Sequence, residues 1–238
     1  MIENTESDAP IYNRLLAALP AGEYRRLLPE LEQIPLAYGE NIYKSGDPIE
    51  YVYFPNSGII SLLAAAEKDA ALEVGIVGRE GIVGVAVFLG VKISNNNAIV
   101  QGQGFAMRMK AAAFLTECGK SGMLSRLLKR FTQSLLAQIS QSAVCYRFHP
   151  AEDRLARWLL MTSDRMETKE FHLTQDFLSN MVGVRREAVN KSAVVLQQQE
   201  LISYSRGNIS ITDRQGLELK ACQCYAIIKA EETSFPVH

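Results

Sequence analysis

The sequence predicts an α+β chain made of an N-terminal β-roll or jelly-roll, a long helix, and a C-terminal winged helix-turn-helix. Three observations carry that reading. Short apolar runs punctuated by turn residues occupy positions 34–109, the texture of antiparallel sheet. A helical stripe of apolar residues then runs from about Ser121 to Phe148. Finally, His172 to Ile202 reads as two short helices around a tight turn, and a β-hairpin pattern follows at once.

Taken in order, Ile11 to Leu28 reads as two short helical pieces broken at Leu19-Pro20-Ala21-Gly22. Turn clusters at Tyr38-Gly39-Glu40, Ser45-Gly46-Asp47-Pro48, Pro55-Asn56-Ser57-Gly58, Gly78-Arg79-Glu80-Gly81 and Ser94-Asn95-Asn96-Asn97 separate strand-like runs. Examples are Tyr51-Val52-Tyr53-Phe54, Ile59 to Leu63, and Ala98-Ile99-Val100. No internal repeat points to a solenoid instead. In the long helix, Leu124, Leu128, Phe131, Leu135 and Cys145 fit a seven-residue stripe with Gln138 and Ser142 as polar interruptions, and Met123, Leu127, Ile139 and Val144 widen the apolar face. Such a stripe packs on its own domain, on a partner, or on both. A two-fold DNA reader needs a dimer interface, and no other helix is long enough, so Leu124, Leu128, Phe131, Leu135, Gln138 and Ser142 are the expected homodimer contacts. A further helix opens at Ala151-Glu152-Asp153-Arg154, with Leu155, Trp158, Leu159 and Met161 facing inward. The expected divisions are therefore 1–120 for the roll, 121–148 for the dimer helix, and 149–238 for the DNA-binding domain.

The DNA-binding reading rests on local chemistry. Thr174 can N-cap a helix whose Phe177, Leu178 and Met181 fall at helical spacing, and Gly183 can end it in a left-handed conformation. The second helix starts near Arg185 and turns Ala188, Val189, Ser192, Val195 and Leu196 inward, while Arg185, Arg186, Glu187 and Lys191 cluster at the end that a recognition helix presents to base edges. Arginine can bond bidentately to guanine and glutamate can accept from cytosine. A surface hairpin with solvated charges is the plainer alternative, but Leu201 to Ser205, the turn residues Arg206-Gly207-Asn208, and Ile209 to Thr212 add a β-hairpin wing. Arg206, at the wing tip, is a candidate phosphate contact.

Composition narrows the remaining possibilities. A chain of 238 residues that is 47% hydrophobic can bury one large or two modest cores, and a net charge of −1 leaves DNA affinity to a local basic patch. No apolar run approaches a membrane span, and the acidic, polar start MIENTESDAP is unlike a signal peptide, so a cytoplasmic protein is expected. No nucleophile–base pair or phosphate-cradling glycine motif stands out, and no catalytic residue is assigned. The cysteines Cys118, Cys145, Cys222 and Cys224 read as ordinary reduced, partly buried residues, because Cys222-x-Cys224 is closer than the usual spacing of metal ligands. His149, His172 and His238 are scattered, and His149 abuts Pro150 where a helix should cap. No metal or cofactor is expected.

The order of roll, long helix and winged helix-turn-helix resembles the cyclic AMP receptor protein and fumarate–nitrate reduction regulator superfamily, Crp/Fnr, over most of the chain. The most specific resemblance lies in Leu173-Thr174-Gln175, Gly183 to Val189, and Leu196 to Ile202. Tyr43 to Asp47 and Arg154 to Leu160 add support. The resemblance implies that Arg186, Glu187 and Lys191 read bases and that Thr174, Gln175 and Arg185 touch phosphates. It also implies a homodimer on an inverted repeat of double-stranded DNA, with RNA polymerase as a candidate second partner. Cyclic-nucleotide members carry a glutamate for the ribose and an arginine for the phosphate; here Val85 and Asn96 fall at those positions. Cyclic AMP is therefore not expected as an effector through the usual contacts, and the effector is unassigned. The N-terminal cysteine cluster of the oxygen sensors is missing, and no histidine precedes His149 to ligate haem. Arg79, in Gly78-Arg79-Glu80-Gly81, could bind an anionic effector beside glycine amides; the alternative is a glycine turn with two solvated charges. Two other functions stay open. One is a regulator of the same fold that needs no effector, and the other a signalling or scaffolding module that does not bind DNA.

Overall fold

The first helix, α1 (Arg14–Ala17), begins where the buried Asn13 carboxamide accepts from the Leu15 and Leu16 amides and donates to the Pro55 and Gly81 carbonyls, sewing the N-terminal segment to the roll. The computed structural model describes residues 12–65 and 71–233. Ile11 and His238 fall outside them. Pro20 separates α1 from α2 (Ala21–Leu27), as its missing N–H and fixed φ dictate.

Seven strands then form two facing antiparallel sheets. Their ranges are β1 (Glu32–Leu36), β2 (Asn41–Tyr43), β3 (Tyr51–Pro55), β4 (Ile59–Ala65), β5 (Ala71–Val77), β6 (Asn96–Gly102) and β7 (Gly104–Lys110). One sheet has the order β1-β7-β3 and the other β2-β6-β4-β5. Val52, Phe54, Ile60, Val77, Val100 and Met109 fill the space between them, all essentially inaccessible to water. A separate helix, α3 (Ala111–Cys118), follows the last strand and was not anticipated, since its alanine-rich start shows no clear periodicity. Ser121, at φ 53°, breaks the chain before α4 (Met123–Phe148). The Glu23 carboxylate accepts from the Met123 and Leu124 amides and so supplies the N-cap that Gly122 lacks.

The packing of α4 corrects the expected interface. Leu124, Leu128, Phe131, Leu135, Gln138 and Ser142 are all buried within their own protomer. The two polar interruptions have intramolecular work: β5 is an edge strand, and Gln138 accepts from the Ile76 amide at 2.5 Å while donating to its carbonyl at 3.3 Å. Ser142 Oγ accepts from Arg157 at 3.4 Å. The outward face of α4 instead carries Leu136, Ser140, Ala143 and Val144.

The C-terminal region contains α5 (Ala151–Met166), β8 (Glu170–His172), α6 (Gln175–Val182), α7 (Arg186–Gln198), β9 (Ile202–Ser205), β10 (Asn208–Ile211), α8 (Arg214–Lys220) and α9 (Cys224–Thr233). Strand β8 and helices α8 and α9 extend the expected module. The wing is three-stranded in the order β8-β10-β9. Only Arg206 and Gly207 form its turn, both at positive φ, whereas Asn208 belongs to β10 and bonds His172 at 2.8 Å. The core packs Trp158, Leu159, Leu178, Val189, Leu196 and Ile202 together, and it includes Ile59, Leu63 and Ile76 from the roll. The two halves therefore share one apolar interface.

Polar groups register that interface. Trp158 Nε1 donates to Glu73 on β5 at 2.9 Å, and Tyr146 of α4 donates to the Glu73 carbonyl at 2.5 Å. Arg165, also buried, pairs with Glu80 at 2.8 Å and with Glu232 of α9. Burial alone would raise the Glu80 carboxyl, but the Arg165 guanidinium holds it below the usual carboxylate range.

Candidate nucleic-acid interface

The helix-turn-helix forms for the local reasons its sequence suggests. Thr174 Oγ accepts from the Phe177 amide at 3.2 Å, and Gly183 ends α6 at φ 67°, where a β-carbon would meet Leu72 and Tyr146. Arg185 takes the N-cap position of α7 in extended backbone, so Arg186 and Glu187 open the helix. Val189, Ser192, Ala193 and Leu196 face the core, with Ala188 and Val195 half-buried at its edge.

The structure brings Thr174, Gln175, Arg186 and Arg206 together on one concave surface between α6, α7 and the wing. Arg185, Glu187 and Lys191 lie exposed on the adjoining faces of α7. Asn190 and Gln197 also line the concavity and were missed in the sequence, although Asn190 stands four residues from Arg186 and so shares its face. Gln175 Nε2 donates to Asn190 at 3.4 Å, and Gln197 accepts from the Tyr204 amide at 3.0 Å, tying α7 to α6 and to the wing. Arg186 is paired with Asp176 at 2.9 Å; both side chains are more than half exposed, so water weakens the pair and a base edge can displace it. Arg206 holds φ 49°, a conformation that asparagine adopts more readily. An Arg206→Asn variant is expected to melt slightly higher than wild type, while the logarithmic salt dependence of DNA binding becomes shallower by about one per protomer. Differential scanning fluorimetry and binding isotherms across a salt series check the two arms.

The roll loop fits neither the anion-binding reading of Arg79 nor the alternative of a glycine turn with two solvated charges. Arg79 pairs with Glu167, the residue that ends α5, and Glu80 pairs with Arg165. Gly81 is required for packing, because a β-carbon there would collide with the Phe131 ring. The loop clasps the roll to the DNA-binding region, and its partners lie too far along the chain for a local reading. At the degenerate pocket positions, Val85 packs against the roll core in a short 3-10 turn, and the half-buried Tyr43 is hydrogen-bonded through its phenol to the Gly84 main chain. Between roll and wing, a cavity of about 320 Å³ is lined by Tyr38, Gln101, Thr162, Met166 and Phe171 among others.

The four cysteines are free and buried, and three of them meet one of the histidines that lie scattered along the sequence. Cys145, Cys222 and Cys224 converge with His149, their ligand atoms all lying within 4.8 Å of one another. Cys118 is buried in the roll core, apart from this group.

Residues 153–219 match the family model of the Crp-like helix-turn-helix domain. That part of the chain is a Crp-like helix-turn-helix domain. The chain is 22% identical over 204 residues to the CRP-like cAMP-activated global transcriptional regulator of Mycobacterium tuberculosis H37Rv, covering 82% of this chain and 90% of that one. Its fold matches FixK2 from Bradyrhizobium japonicum at TM-score 0.69 and 17% identity, covering 81% of this chain and 98% of FixK2. It also matches the c-di-GMP responsive global regulator CLP of Xanthomonas campestris at TM-score 0.67 and 19% identity, covering 82% and 100% of the respective chains. Among the described residues, no helix is long and apolar enough to cross a membrane.

Proposed function

We propose that this regulator acts in the cytoplasm as a homodimer that reads an inverted repeat of double-stranded DNA, with Arg186, Glu187 and Lys191 at base edges and Thr174, Gln175, Arg185 and Arg206 at phosphates. The observation that carries this reading is the concave surface on which Arg186 and Asn190 of α7 stand between the N-terminus of α6 and the wing tip. Half-sites about one helical turn apart would place two such surfaces in successive major grooves. The outward face of α4, with the exposed Leu136 and Val144, supplies the dimer contact in place of the buried stripe. The Mycobacterium relative is described as cAMP-activated. This chain instead places Val85 and Asn96 where a cyclic nucleotide would need a carboxylate and a guanidinium, and its Arg79 is already engaged by Glu167. Cyclic AMP is therefore not its effector through those contacts. The clasp between roll and DNA-binding region gives a bound DNA, an unidentified effector or RNA polymerase a conformation to act on.

Selection from a randomised DNA library tests the reading. Wild type should enrich a two-fold site, and Arg186→Ala should lose roughly tenfold to a hundredfold on that site while relaxing preference at one base pair per half-site. Gln175→Ala should weaken all sequences alike. An unchanged base preference in the Arg186 variant removes that residue from readout.

A further inference from the structure

Two pairs of potential ligands meet where the long helix joins the DNA-binding region. Cys145 lies in the last turn of α4 and His149 is its C-cap, while Cys222 precedes α9 and Cys224 begins it. Helix α9 packs along α4, which brings the pairs face to face. Cys145 Sγ is 3.4 Å from Cys222 Sγ, and Cys224 Sγ is 3.4 Å from His149 Nδ1. A tetrahedral site with metal–sulfur bonds of about 2.3 Å and a metal–nitrogen bond of about 2.0–2.1 Å has edges of about 3.5–3.8 Å. The four donors already stand near those separations, and none is more than 4.8 Å from another.

The surroundings suit a metal–thiolate centre. Gln141 Nε2 donates to Cys224 Sγ at 3.1 Å, the kind of outer contact that orients a ligand. Arg157 is buried, its Nε has no hydrogen-bond partner, and its charge acts on both Cys145 and Cys222. A divalent cation held by three thiolates and a neutral imidazole carries one net negative charge, which that guanidinium offsets in a medium where an unpaired charge is costly. Three sulfurs and one imidazole form a soft, closed donor set that favours zinc over magnesium or calcium and fits a structural site better than a catalytic one.

We propose that Cys145, His149, Cys222 and Cys224 bind one zinc-class divalent cation tetrahedrally, releasing three thiol protons to solvent and pinning α9 to the end of α4. The site spans the joint at Pro150, so its occupancy sets how the DNA-binding region is held against the long helix. That consequence rests on the DNA-binding reading above; the metal site itself does not.

The test uses full-length protein, reduced and stripped with a chelator, then titrated with Zn2+ against a chromophoric competitor and separately with Co2+. One equivalent per chain is expected, with the visible bands of tetrahedral cobalt, thiolate-to-cobalt charge transfer, and a higher melting temperature in Zn2+. Cys118→Ser should bind as wild type does. Gln141→Ala should bind about tenfold more weakly, and Cys222→Ser and His149→Gln should each lose more than the roughly 100-fold upper effect of an outer-shell contact. Circular dichroism of the metal-free variants separates lost ligands from lost fold, and the wild-type cobalt spectrum reads the donor set without any variant. Substoichiometric binding, a cobalt spectrum without thiolate charge transfer, or Cys222→Ser binding like wild type would overturn the proposal. So would a multi-iron chromophore in the protein as purified, or a Cys145–Cys222 disulfide forming in protein whose reduced state binds no Zn2+. Failure of DNA binding leaves all these readouts intact, whereas DNA binding without metal binding removes the metal site alone.

Discussion

Replacing Leu136 and Val144 together with aspartate is expected to leave the protomer folded and convert the proposed dimer to monomers. Both side chains point outward from α4, at 53% and 42% exposure, so the change removes little intramolecular packing. At a two-fold interface each substitution appears twice, and like charges then face one another across the axis. Losing the link between two half-site contacts should reduce affinity for the inverted repeat by about 10²–10⁴-fold while leaving affinity for one half-site nearly unchanged. Sedimentation velocity and binding to paired and single half-sites measure the two effects. A variant that still sediments as a dimer moves the interface elsewhere. Phe131→Asp should behave differently, because its ring covers Gly81 inside the roll; the expected result is loss of folding rather than clean dissociation.

Glu73→Gln is expected to stabilise the protein increasingly as pH rises from about 5 to about 7.5, with the gain levelling off above that. Burial pushes the Glu73 carboxyl up to about 7, opposed by the hydrogen bonds from Ser61 and Trp158 and by the charges of Arg157 and Arg165. The Tyr146 hydroxyl of α4 also faces it, bonded to its main chain. Ser61 Oγ lies 2.7 Å from both Glu73 Oε2 and Gln101 Oε1, and its single proton can satisfy only one of these acceptors. A proton on Glu73 completes the chain from Glu73 to Ser61 to Gln101. With the folded carboxyl raised above its unfolded value of 4.5, the native state holds more protons between about 4.5 and 7, so stability falls through that window as pH increases. The full loss is on the order of 3 kcal/mol. Glutamine accepts from Trp158 and donates to Ser61 without titrating. Melting temperatures of the two proteins across pH isolate the effect, and a pH-independent difference between them would show that Glu73 stays in one protonation state.

How much was legible in the sequence follows the distance over which each signal acts. Thr174, Gly183 and the Arg206-Gly207 turn each declare a cap or a reversal within a few residues, so the helix-turn-helix and its wing could be read directly. The alternating runs announced sheet, but β8 is only three residues long and its pairing with β10 is non-local, so it carried no periodic signal. Asn190 carries no charge to mark it in the sequence, although its four-residue spacing from Arg186 places it on the same helix face.

By itself the sequence determined the order of roll, long helix and winged helix-turn-helix, and which side chains stand at the start of the recognition helix, because caps, turns and periodicity are local properties of a chain. Only the tertiary structure decided which face of α4 is spent on its own roll, since an apolar stripe has the same period whether it meets its own core or a partner. It alone paired Arg79 with Glu167, 88 residues away, and Trp158 with Glu73, 85 residues away. It also gathered Cys145, His149, Cys222 and Cys224 across a gap of more than seventy residues. Such contacts depend on where the folded backbone brings distant segments, and no spacing within either segment encodes that meeting.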